Sequence, residues 1–515
     1  MSTPKTKSEK LLRRVFEIVP GIFSWAVLLS PFWASFIAPF AVAYFIIFFD
    51  IYFFWRAANL GVNSVRGYFK IRQTTRINWF KRLAAENLPW QKMRHVVFIP
   101  TYREPKEVLE RTLTFLAESE FPSNQIDVCL AVEKREEGIL EKAENLKRRF
   151  GNRFGHFWIT QHPLKNGEVA GKSSNQSYAA WEVKKFIEGR GYDKNFITAT
   201  SCDADVCLHP KYFAALTYQF LTNSLPYNKF WQAAILYYNN IWRVPMPIRV
   251  VQTIYSINGI AQLLRPGSSF NYSTYSTSWR LLEKTGFWDT DVVPEDWHLF
   301  FKAFFAHGGH VDLESIFLPH YADAVEGKTY WDSLKAQYLQ TRRWAWGVSD
   351  IAYAATRFLK YRKSVSLPAF LARFLLASEQ HLLWPVNWWI ITLGAALPPL
   401  LNRSFRYTAL GFNLPKISGL ILTLCAVFFV FVIIVDFLMK PPRPKSFKKG
   451  LLPLTIIQYL LLPITGFFFS SLPGMDAHTR LLLGKRLEYK VTEKIIKTGS
   501  RGFQKEGYNL KQNYK

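Results

Sequence analysis

The chain has 515 residues, 49% of them hydrophobic, with 44 Phe and 18 Trp, and its 65 basic and 38 acidic residues give a net charge of +27. Such a charge is the usual mark of a nucleic-acid binder. Here the basic residues instead crowd beside long apolar runs, the positive-inside pattern of a membrane protein, which argues against nucleic acid as a partner and for membrane lipids.

Residues 15–57 are mostly apolar and broken by Pro31 and Pro39. A span takes about 20 apolar residues, so this stretch predicts a hairpin of two. Basic residues precede it (Lys5, Lys7, Lys10, Arg13, Arg14) and follow it (Arg56, Arg66, Lys70, Arg72, Arg76), which places both ends in the cytoplasm. No small-residue cleavage site follows the apolar run, so it reads as an anchor and not a cleaved signal. Residues 58–91 mix arginines with aromatics and read as an interfacial helix region.

From about 92 the texture becomes that of a soluble domain. HVVFIP (95–100) precedes a helix near 106–119, IDVCLAV (126–132) one near 136–150, FWIT (157–160) one near 172–188, and FITAT (196–200) runs into Asp203 and Asp205 before a helix that follows Pro210. Strands alternating with helices predict an α/β fold: a mostly parallel sheet with helices on both faces, inserted between transmembrane helices. Ligands bind at the carboxyl ends of such strands.

After about 350 the apolar pattern returns. Residues 367–401 carry Arg373, Glu379, Gln380 and His381 in their first half, which suits an interfacial or pore-lining helix, and His381 is a functional candidate as a polar group at membrane depth. Clean spans are expected at 417–439 and about 451–473. The basic loop 440–449 and the tail 475–515 both favour the cytoplasm, so either 451–473 doubles back at Pro463 and Gly466 or the charge rule misleads there. The expected divisions are 1–57, N-terminal hairpin; 58–91, interfacial helices; 92–350, the cytoplasmic domain; 351–384, interfacial or amphipathic helices; 385–474, C-terminal transmembrane region; and 475–515, basic cytoplasmic tail. Cys129, Cys202, Cys207 and Cys425 show no CxxC spacing and complete no zinc set.

Four constellations carry chemistry. Asp203 and Asp205 end a buried strand and can hold Mg²⁺ or Mn²⁺, hard ions that keep positions open for substrate phosphates. In VPEDW (293–297), Glu295 or Asp296 can act as general base, or serve the dipole of a helix N-terminus. In QTRRW (340–344), Gln340, Arg343 and Trp344 share one helix face, where a guanidinium can clamp a pyrophosphate and an indole can stack on a sugar; an interfacial helix would use the same residues. AGKSS (170–174) tempts towards a P-loop, but Asn166 stands where the first glycine belongs; Lys172 can still meet a phosphate as a point charge. His298 and His320 lie near these motifs and read as structural.

PTYRE (100–104), D-x-D, E-D and Q-x-x-R-W, in this order between membrane spans, resemble the family 2 glycosyltransferases, in particular the membrane-integrated processive synthases of the cellulose, hyaluronan and chitin type. The resemblance covers about 95–350 by motif, and LEYKVTEK (487–494) resembles the cytosolic tail segment of such synthases. It implies a GT-A domain and an inverting, UDP-sugar-dependent hexosyltransferase in the cell membrane. By this resemblance Thr101, Tyr102 and Glu104 line the nucleoside pocket, and Glu133 stands where the family places a uracil-reading aspartate. Lys172, Asp203 and Arg343 meet the donor, Asp205 with Asp203 holds the metal, Asp296 beside Glu295 is the base, and Gln340 and Trp344 hold the acceptor. A processive polysaccharide synthase that translocates its β-linked product is the leading expectation, with a glycan or lipid-linked acceptor and accessory export subunits as partners. A transferase adding one sugar to a lipid-linked or short glycan acceptor is the alternative. A nucleotide-driven transporter is a third, opposed by the incomplete P-loop.

Overall fold

The computed structural model describes residues 6–445, 450 and 452–487. Residues 446–449 of the 440–449 loop, and all of LEYKVTEK except Leu487, lie outside the described residues.

The soluble domain is built on seven strands: β1 (Arg94–Thr101), β2 (Ile126–Glu133), β3 (Phe157–His162), β4 (Ile197–Ser201), β5 (Lys229–Leu236), β6 (Tyr275–Ser278) and β7 (Asp312–Tyr321). Their order is β3-β2-β1-β4-β6-β5-β7. β6 runs antiparallel to both β4 and β5; the other pairings are parallel. The first four strands and their helices (Lys106–Ala117, Ile139–Phe150, Lys172–Gly189 and Tyr212–Thr222) stand where the alternating pattern predicts them.

β1 shows why the sheet is buried on both faces. Val97 and Ile99 enter one core with Leu109, Leu113, Tyr212 and Phe213. Val96 and Phe98 enter the other with Ala179, Trp279 and Phe300. Near-continuous apolar strands are what a sheet covered on both sides requires. Chain order reverses between β1 and β4, which opens a crevice at their carboxyl ends. Thr101 and Ser201 end there, one followed by Tyr102 and Glu104, the other by Asp203 and Asp205.

Among the described residues, four helical segments are long and apolar enough to cross a membrane: Lys7–Ile37, Pro39–Arg76, Ala409–Met439 and Leu454–Leu482. The helix from Pro39 runs unbroken to Arg76, past the 57/58 division. Its end at the sheet domain is fixed by Lys211, which donates to the Thr75 carbonyl (2.6 Å). Ala409–Met439 lies along it so closely that a side chain at Gly61 would come 2.7 Å from the Phe428 carbonyl. At the far end Asn402 donates to the Ser35 carbonyl (3.1 Å), and Phe40 meets Phe405 edge-on at 5.0 Å. The short apolar stretch Asn387–Leu401 leads to that far end, and Ala409–Met439 returns from it.

The segment Leu454–Leu482 answers the parity problem of the basic loops in its own way. At its start Arg443 donates to Thr455 (3.1 Å), and Tyr459 hydrogen-bonds Asp436. Asp436 in turn accepts from Tyr238 of the sheet domain (2.7 Å). At its end Asp476 takes Arg342 (2.7 Å) from the QTRRW helix, Tyr330–Ala345, and Arg14 donates to the Leu481 carbonyl (2.6 Å). Both ends therefore stand at the sheet-domain end of the bundle. The helical path runs on through Pro463 and Gly466, and a 3₁₀ turn at Gln458–Leu461 and a π-turn at Phe467–Ser471 bend it.

Candidate active site

Asp203 and Lys172 form the centre. Lys172 opens the helix Lys172–Gly189 and pairs with Asp203 (2.7 Å) and Glu295 (2.6 Å). Its ammonium also donates to the Ser273 carbonyl (2.6 Å). Burial opposes that charge, but the two carboxylates outweigh burial and hold the lysine well above its usual pKa. Ser273 donates its hydroxyl to Asp203 (2.6 Å) and its backbone N–H to Asp296 (3.2 Å). One short segment before β6 thus ties the D-x-D motif to the E-D motif.

Asp205 is held differently. Its Oδ2 accepts the backbone N–H of Asp323 (3.1 Å), and Arg111 joins the Asp323 carboxylate (2.7 Å) to the Asp205 carbonyl (3.3 Å). Among the described residues no group of three or more His, Cys, Asp or Glu side chains forms a metal cage. The donor set is two hard carboxylates in an open cavity. It fits a divalent ion that completes its shell with substrate phosphates and water, and does not fit zinc.

Asp296 begins the helix Asp296–Ala306 and accepts the N–H of Trp297 on its other oxygen (2.9 Å). Burial, then the neighbouring Glu295 charge, push its carboxyl up to about 7, against the pull of Lys172. A carboxylate poised there suits a general base near neutral pH.

At the end of β1 Glu104 accepts from the Thr101 hydroxyl (2.7 Å) and the Tyr102 N–H (2.5 Å). Arg103 adopts a positive φ of 64° in this turn, which directs Glu104 back under β1. Glu133 is buried beside Arg135 (3.3 Å) and His162 (3.5 Å). Arg135 covers the Tyr102 ring at 3.9 Å. Trp344 packs against Tyr255 (5.0 Å, edge-on) and Tyr237 (6.0 Å).

A single cavity of about 1150 Å³ joins these groups: Thr101, Tyr102, Glu104, Glu133, Lys172, Asp203, Asp205, Glu295, Asp296, Gln340, Arg343 and Trp344 all line it. It continues past Trp55, Arg56, Glu379 and Trp384 to Ile391, Thr392, Leu422 and Cys425, between the membrane-type helices. Sequence reading missed Ser273, Asp323 and Arg111, which carry no motif of their own. His298 and His320 lie outside the cavity lining. His298 bridges Asp350 (2.7 Å) and Asp289 (3.1 Å); burial opposes its charge, and the carboxylates raise it to about 9. His320 packs against Tyr212 at 4.5 Å. All four cysteines are buried and free.

The family model for glycosyl transferase family group 2 matches residues 200–469, just over half of the chain, and the chain belongs to that family. With its seven-stranded, mostly parallel sheet it is a glycosyltransferase of GT-A fold. No curated protein matches the chain. Among solved structures it is similar to the mannosyltransferase PcManGT from Pyrobaculum calidifontis in complex with GDP-Man and Mn²⁺, at 15% identity and TM-score 0.42, covering 73% of this chain and 99% of that one. It is also similar to S. aureus TarS 1-349 in complex with UDP-GlcNAc (12% identity, TM-score 0.30, 66% and 91% covered). GalNAc-T7 with UDP, GalNAc and Mn²⁺ is a third (11%, 0.36, 58% and 59%).

Proposed function

We propose that the protein is a membrane-bound, inverting hexosyltransferase that uses a UDP-sugar and Mg²⁺ or Mn²⁺, with its catalytic domain in the cytoplasm. The observation that carries this reading is the joining of Asp203, Lys172, Asp296 and Arg343 in one cavity that continues between the membrane-type helices. Thr101, Tyr102, Glu104 and Glu133 receive the nucleoside. Lys172 and Arg343 answer the charge that develops on the departing diphosphate. A divalent ion held by Asp205, with Asp203 beside it, would add Lewis-acid charge at the same group. Asp296 takes the proton of the acceptor hydroxyl as that oxygen attacks the anomeric carbon from the opposite face. Direct displacement inverts the configuration, so an α-linked donor yields a β-linkage. Gln340 and Trp344 orient the acceptor, a contribution of position and not of acid–base chemistry.

The continuation of the cavity towards Thr392 and Leu422 supports a processive synthase that passes its product along the helices. One observation favours the second reading, a single addition to a lipid-linked acceptor. Ala43, Phe405 and Leu414, which do not line the cavity, form a buried apolar cluster at the far end of the bundle. A screen of UDP-sugars for UDP release in detergent, followed by product mass analysis, tests both. A ladder of masses supports the processive reading, one added sugar the other, and no UDP release from any donor overturns the hexosyltransferase itself.

A further inference from the structure

His381 sits where the two halves of the site meet. It belongs to the helix Leu367–Leu383, is 4% exposed and lines the cavity. Its ring stands edge-on to Trp297 at 4.8 Å and stacks beside Trp384 at 6.2 Å; both indoles also line the cavity. Trp297 adjoins the base Asp296. On the other side the ring presses on Gly347, three residues after Trp344, where any side chain would come 2.9 Å from Cε1 and 3.1 Å from Nε2. The backbone there is held free of a side chain so that the imidazole can enter.

The ring has no reward for that approach within the protein. Among the described residues neither Nδ1 nor Nε2 has a hydrogen-bond partner. Of the described histidines it is the one with both nitrogens buried and unpartnered. A buried polar group left unmade costs more than a made bond returns, and native interiors rarely tolerate it. Burial keeps the ring neutral, at a pKa of about 3. A neutral imidazole offers one donor and one acceptor, the pair that a sugar hydroxyl accepts from and donates to. Gln340, also on the cavity lining, likewise keeps a buried, unpartnered Oε1 among the described residues.

We propose that His381 reads the acceptor: it bonds a hydroxyl of the acceptor glycan, whose ring rests against the Trp297 and Trp384 indoles, and so holds the attacking oxygen over Asp296. The inference rests on the glycosyl-transfer reading above and gives it an acceptor contact that no sequence motif marks.

The test uses the full chain in nanodiscs, with cellotetraose and chitotetraose as acceptors and the UDP-sugar that gives turnover. H381F keeps an aromatic ring between the indoles and loses the polar contact; H381N does the reverse. The expected result is an acceptor KM raised about tenfold in H381F, more than kcat falls, with H381N nearer the wild type; tenfold is the scale of one lost hydrogen bond. If His381 only packs, the order inverts, with H381F silent and H381N impaired, and the inference is overturned. It is also overturned if wild-type protein releases UDP but neither tetrasaccharide changes the rate. If no sugar nucleotide is turned over at all, the transfer reading itself has failed, and this inference falls with it.

Discussion

The two ends of the one cavity are built on opposite plans. At the strand ends the buried charges are cross-braced: Lys172 between Asp203 and Glu295, Ser273 between Asp203 and Asp296, Arg111 behind Asp205. Towards the helices the wall mixes indoles and aliphatic groups with polar ones such as Arg56, Glu379 and Thr392, and among the described residues both nitrogens of His381 and the Oε1 of Gln340 have no hydrogen-bond partner. Fixed charge suits a diphosphate whose position must not vary, because preorganised dipoles cost nothing at the moment of reaction. A wall of indoles with unpartnered polar atoms between them suits a neutral ligand that supplies the missing bonds itself.

The contrast can be broken most completely at the charged end. Asp205→Asn, or chelation by EDTA, takes transfer to background in a UDP-release assay; activity that survives both removes metal-assisted transfer. Asp296→Asn lowers turnover about a thousandfold, within the range expected of a lost general base, while UDP binding by calorimetry stays near that of the wild type. Collapse of binding would show that Asp296 holds the donor and is not the base.

A smaller effect sharpens the electrostatics. As the proposed base Asp296 must be deprotonated, and its carboxyl sits at about 7, so the rate is expected to rise about tenfold between pH 6 and pH 8. Lys172 pulls that value down. In Lys172→Met the acid limb therefore moves to higher pH, beyond the loss of rate. A limb that stays in place would mean that the lysine does not act on the base. On the aromatic wall, Trp344→Ala raises the acceptor KM about tenfold with little change in UDP affinity, in keeping with one lost stacking contact.

The smallest effect on catalysis, and a large one on stability, is expected behind the site. His298 carries a folded-state value of about 9 against 6.5 unfolded, held by Asp350 and Asp289. A raised value means that its contribution is complete below about pH 6.5 and is lost as pH climbs through 9. Asp350→Asn leaves a buried imidazolium half-paired and costs about 3–5 kcal/mol. Thermal unfolding at pH 6.5 and 9.5 checks this, the variant losing most at the lower pH.

Much of this was legible in the residues. β1 to β4 and their helices follow from short apolar runs alternating with amphipathic ones, a local signal. β5 to β7 were not read. β6 is four residues of Tyr, Ser and Thr with no apolar run, and it becomes a strand because it fills the gap between β4 and β5. Each site motif was visible as a cluster of side-chain types, but its partner was not. Nothing local to Lys172 says that it will meet carboxylates from both later motifs.

The sequence by itself determined the class of the molecule, since strand–helix alternation, apolar run length and paired acidic residues depend on neighbours along the chain. Tertiary structure alone decided the rest, because long-range packing brings distant segments to contact. It placed both ends of Leu454–Leu482 at the catalytic domain, made Ser273 the bridge between two motifs, and set His381 against Gly347 with its nitrogens free for a ligand.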